Sequence, residues 1–133
     1  MRHRIFLTHF LLCLALASGV FFAGQLGVLK IIWLNDQSHM TSVIAALLVV
    51  AATTLGFQAW NGASGAFGHL AERLSVMLGF IGTAIGLSLQ AQALAGGATS
   101  FTALATSLYT TAVGGTAAAI IAVMTFNLER SAK

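Results

Sequence analysis

A chain of 133 residues that is 58% hydrophobic and 7% charged, with a mean hydropathy of +0.92, is far from an ordinary soluble domain, in which about a quarter of residues are charged. Its six Lys/Arg against three Asp/Glu give a pI near 9.8, but so few scattered cations cannot build a phosphate-binding surface, which excludes nucleic acid as a partner. The composition is that of an integral membrane protein, and its lone cysteine, Cys13, has no intrachain disulfide partner.

The charges outline the spans. Ile5 to Leu29, Gln37 to Ala71 and Leu74 to Leu128 are free of Asp, Glu, Lys and Arg. The last of these gaps is long enough for two crossings and is broken by Ala95-Gly96-Gly97-Ala98-Thr99-Ser100. At about 20 residues per crossing, four helices are expected, near Ile5–Leu34, Met40–Trp60, Ala71–Leu94 and Phe101–Leu128. The runs are too long and too evenly apolar for barrel strands, and lipid leaves the helix as the other way to pair every backbone polar group. The expected fold class is therefore all-α, a four-span membrane protein. Residues 1–60 form a peripheral helix pair, 61–72 a short loop, and 73–133 a core helix pair with a short tail.

The first expected helix opens with Met1-Arg2-His3-Arg4 and contains Ala15-Leu16-Ala17, which also fits a cleaved secretory signal. Its apolar run continues to Trp33, however, and so describes a span. Lys30 and His9 are expected to snorkel to the interfaces. Trp33 and Trp60 fall where indoles anchor helices. Placing the N-terminus in the cytoplasm puts Arg2, Arg4, Arg73, Arg130 and Lys133 inside and leaves Lys30 outside, which satisfies the positive-inside bias. Both termini are then cytoplasmic. His3, His39 and His69 have no Cys or carboxylate at ligand spacing along the sequence, so neither a metal site nor a cofactor is expected. With no nucleophile–base pair or phosphate loop, an enzyme is not expected either.

The third and fourth helices carry small and hydroxyl-bearing residues at helical spacing. Gly79, Thr83, Gly86 and Gln90 share one face of the third, which also contains Gly82; Ser107, Thr111, Gly114, Ala118, Ala122 and Thr125 form a stripe on the fourth. In lipid, small residues let backbones approach and hydroxyls bond across the contact. The stripes are thus expected to pack helices or to face a partner. No acid or base lies between Leu74 and Leu128, so a membrane-embedded proton carrier of the usual carboxylate type has to come from another chain.

The string Leu78-Gly79-Phe80-Ile81-Gly82-Thr83-Ala84-Ile85-Gly86-Leu87, followed by Thr110-Thr111-Ala112-Val113-Gly114 and Phe126-Asn127, resembles the MotA/TolQ/ExbB proton-channel family over about residues 72 to 129. The resemblance implies a homopentameric ring in the bacterial inner membrane, with the last two helices lining a channel around a single-span dimer resembling MotB, TolR or ExbD. It implies that the partner supplies a membrane aspartate, that Thr83 and Thr111 lie along the ion path, and that ion flow is converted into movement. The chain departs from the pattern in four ways. Thr106 stands where many members carry an acid, the family's helix prolines are absent, Phe126-Asn127 sits about one residue further from Thr111 than the pattern has it, and the large cytoplasmic domain is reduced to about a dozen residues, Asn61 to Glu72. Two other readings of the same residues are a structural subunit that uses the stripes to pack helices, and a holin-like pore-former that acts without a partner.

Overall fold

The computed structural model describes residues 2–61, 65–97 and 101–130. The middle of the short loop (62–64), the second half of the Gly96 turn (98–100) and the tail with Lys133 lie outside the described residues. Five helices run in the order α1 (Arg2–Gln25), α2 (Val28–Asn35), α3 (Met40–Asn61), α4 (Ala66–Ala95) and α5 (Phe101–Arg130). Four of them, α1, α3, α4 and α5, are long and apolar enough to cross a membrane, which is the four-span, all-α architecture expected.

The boundaries differ in two places. The first expected helix is split, because Gly27 adopts φ 75° and ends α1; a left-handed residue stops a helix, and glycine takes that conformation without a Cβ penalty. The short α2 then packs against both α1 and α5. At the other boundary, α4 begins at Ala66 rather than Ala71, so much of the expected loop is helix.

α4 and α5 form an antiparallel hairpin with the most extensive contact in the chain. On α5 the buried positions include Ala103, Ser107, Thr110, Gly114, Ala117, Ile121, Met124 and Leu128. They alternate in steps of four and three, the seam of two helices packed nearly side by side. α3 lies across the hairpin and contributes Ala51, Leu55 and Ala59 to a core shared with Ala71, Ile121, Met124 and Leu128. α3, α4 and α5 form the most closely packed unit, and α1, which has few fully buried residues, lies against that core through half-buried Ile5, Leu12, Cys13 and Leu16.

The charged ends sort as the sequence indicated. His3 meets Trp60 edge-on, Gly68 meets Thr125, and His69 meets Glu129. Arg4, Arg73 and Arg130 therefore share one end of the bundle. Lys30 and Asp36 belong to the opposite end, where the α2–α3 linker touches Thr106 near the start of α5.

Candidate functional site: the seam between α4 and α5

The seam is built by glycines that let one backbone rest on another. A Cβ placed on Gly114 would lie 2.8 Å from both the Gly79 Cα and the Ser75 carbonyl oxygen. One placed on Gly86 would lie 2.8 Å from the Ala103 carbonyl and the Ser107 amide. Gly79 faces the Thr110 carbonyl and the Gly114 Cα, and Gly82 faces the Thr110 side chain. Gly79, Gly82, Gly86, Ser107, Gly114 and Ala118 are all buried. Of the residues expected to pack helices or face a partner, these six are enclosed within the chain. Gln90, toward the end of the α4 stripe, is half-buried, and its side-chain carbonyl oxygen has no hydrogen-bond partner among the described residues.

Most hydroxyls in the seam are satisfied by their own helix. Ser75 donates to Ala71 O at 2.9 Å, Thr110 to Thr106 O at 2.9 Å and Thr125 to Ile121 O at 2.8 Å. Bonded back in this way, a hydroxyl presents a small, saturated surface and costs little to bury.

Thr83 and Thr111 behave differently. Their hydroxyls bond to each other across the two helices. Thr83 also has the Gly79 carbonyl at 2.9 Å, and Thr111 has the Ser107 carbonyl at 2.9 Å. The pair can exchange donor and acceptor roles by rotating its hydroxyls. Thr83 is half-buried and Thr111 exposed, so the pair sits at the open edge of the seam.

Thr110 escaped the sequence reading, which placed its neighbour Thr111 in the stripe. The four-three spacing from Ala103 to Leu128 was the signal that could have found it. Thr106, noted only as a missing acid, has a structural task. It is fully buried, its hydroxyl donates to the Asn35 carbonyl, and it accepts the Gln37 amide at 3.3 Å. The linker it ties down is organised by Asp36, which is only 5% exposed. One carboxylate oxygen accepts the Ser38 hydroxyl at 2.6 Å and the Ser38 amide at 3.0 Å; the other accepts the Thr41 amide at 2.8 Å. Burial pushes the Asp36 pKa up, but the hydrogen bonds from Ser38 and Thr41 outweigh it and hold the carboxyl below its ordinary value.

Two histidines depart from expectation. His9 does not snorkel: it is 4% exposed, with Nε2 2.9 Å from the Ala52 carbonyl of α3 and packed over Gly56. α3 leaves room for the ring because residue 56 has no side chain. His69, read from the sequence as a loop residue with no carboxylate at ligand spacing, lies in α4, with Nε2 2.6 Å from Glu129 and Nδ1 3.9 Å from Glu72, three residues on along the same helix. Among the described residues no group of three His, Cys, Asp or Glu could hold a metal ion.

No family model, curated protein or solved structure matches this chain.

Proposed function

We propose that this chain is the channel subunit of an ion-driven, energy-transducing complex of the bacterial inner membrane, built on the plan of the MotA/TolQ/ExbB family. The observation that carries the reading is the Thr83–Thr111 hydroxyl pair, bonded across the seam and open at its edge. Reorientable hydroxyls at an exposed seam suit the passage of a proton or a desolvated cation. In this reading five copies surround a single-span dimer whose aspartate carries the ion, since the span of α4 and α5 from Leu74 to Leu128 holds no acid or base. In this reading both termini lie in the cytoplasm, the side that the charge bias favours. The subunit does no covalent chemistry of its own. Its output passes through the partner, because the short segment between α3 and α4 gives no grip on a cytoplasmic rotor.

The test is ion flux in proteoliposomes holding the complex purified with the products of adjacent genes. Thr83→Val and Thr111→Val are expected to lower flux about tenfold, the scale of one lost hydrogen bond in a pathway, with ring and partner stoichiometry intact by native mass spectrometry. Unchanged flux in both variants would remove the pair from the ion path.

A second reading, a purely structural subunit, draws on the burial of Gly79, Gly82, Gly86 and Gly114 inside the chain's own hairpin. It predicts that both threonine variants are silent while Gly82→Leu destroys assembly.

A further inference from the structure

Beneath α1 lie two adjoining apolar crevices, of about 540 and 690 Å³. They exist because α1 touches α3 and α5 only lightly. Leu16, Val20 and Ile120 wall both, and Leu48 adds to the smaller. The smaller runs along α5 from Tyr109 to Ile120, which at 1.5 Å per residue is about 16 Å. That is close to the length of acyl chain that one leaflet holds, about 15 Å, and it lies along the middle of α5. α2 contributes Leu29, Ile32 and Trp33 to its wall.

Lys30 stands on α2 between the wall residues Leu29 and Trp33 and is exposed. Among the described residues the only close contacts between a basic side chain and a carboxylate are those of His69, so Lys30 has no acidic partner there. The nearest acid in sequence, Asp36, is already saturated by Ser38 and Thr41. An unpaired ammonium next in sequence to Leu29, which walls both crevices, complements a phosphate esterified to long acyl chains. Two crevices that share Leu16, Val20, Leu29, Thr116 and Ile120 as walls accommodate two chains.

We infer that the space under α1 is a binding site for one anionic, two-chain phospholipid, its acyl chains lying along α5 and its phosphate held by Lys30. The bound lipid completes the packing that the chain itself leaves open between α1 and the α3–α5 unit. It takes the place that side chains fill elsewhere in the bundle.

The experiment is native mass spectrometry of the full chain released from nanodiscs of equimolar phosphatidylglycerol and phosphatidylcholine, counting lipids retained after mild activation. The native chain should retain phosphatidylglycerol over phosphatidylcholine roughly fivefold, the strength of one lysine at an anionic surface. Lys30→Gln, at an exposed position that does not threaten the fold, should bring that ratio to parity. Thr116→Phe, which fills the wall common to both crevices, should lose either lipid while its far-UV circular dichroism is unchanged. Equal retention of the two lipids by the native chain, or native-like selectivity in Lys30→Gln, would overturn the site. So would full retention in Thr116→Phe. Disulfide dimers of a Thr116→Cys, Cys13→Ala chain in the same nanodiscs would assign the crevice to a second copy and overturn it as well.

Discussion

Gly114→Ala probes the seam where the two backbones lie against each other. The added methyl would sit 2.8 Å from the Gly79 Cα and from the Ser75 carbonyl oxygen, whereas contacting carbons prefer about 3.5–4.0 Å. Both obstacles are backbone, so no rotamer change relieves them. α4 and α5 must part by about 1 Å at this level, thinning the dispersion contacts along the seam. Overpacking costs about 1–3 kcal/mol, and immovable neighbours place this substitution in the upper half of that range. Replacing a helical glycine by alanine returns about 0.5–1 kcal/mol, leaving a net loss of about 2 kcal/mol. Gly115→Ala makes the same chemical change one residue on, where a Cβ meets nothing within 4 Å, and should be neutral or slightly stabilising. Reversible unfolding in mixed micelles of rising dodecyl sulfate content, followed by far-UV circular dichroism, measures both. Gly86→Ala, also 2.8 Å from backbone, should resemble Gly114→Ala, and Gly79→Ala, at 3.2 and 3.4 Å, should fall between the extremes. If Gly114→Ala and Gly115→Ala unfold within about 0.5 kcal/mol of each other, the scatter of ordinary surface changes, the reasoning fails.

Thr106→Val keeps the shape but leaves the Asn35 carbonyl without the Thr106 hydroxyl, at a cost of about 1–3 kcal/mol; hydrogen exchange at Gln37 should quicken while the α5 amides near Met124 stay protected. Asp36 has a folded pKa below its unfolded one, so its contribution is present at neutral pH and is lost as pH falls below the ordinary carboxylate value of about 3.9. Protection of the linker amides, taken as exchange relative to the intrinsic rate at each pH, should fall over that acid range in the native chain and stay constant in Asp36→Asn; an equally steep loss of protection in the variant would exonerate the carboxylate. Gly56→Ala sets a methyl 3.1 Å from His9 Nε2 and should displace the ring from the Ala52 carbonyl. It should loosen α1 by about 1 kcal/mol without altering the α4–α5 seam, read as faster exchange confined to α1.

The number of spans, their helical character and the sorting of charges to the two ends were legible in the sequence. Lipid tolerates few charges and no unpaired backbone, so charge-free runs of sufficient length dictate helices. The small-residue character of α4 and α5 was equally legible, because close approach of two helices in lipid calls for small residues such as Gly, Ala, Ser and Thr. What the local pattern could not show was which neighbour each side chain meets. His9 read as an interfacial residue until α3 offered it a carbonyl and the gap above Gly56. Thr106 read as a missing acid until the α2–α3 linker folded onto it, and Glu129 became a partner for His69 only when α5 returned beside α4.

By itself, then, the sequence determined that this protein is a bundle of membrane-crossing helices, two of them faced with small residues, because helix formation and burial in lipid depend on composition along a few consecutive turns. The tertiary structure alone decided that the glycines are enclosed within one hairpin while Thr83 and Thr111 meet at its open edge, and that α3 joins the core while α1 stands off over an apolar space. Those outcomes depend on the rotation and approach of whole helices, quantities set by the sum of contacts between segments far apart in the chain.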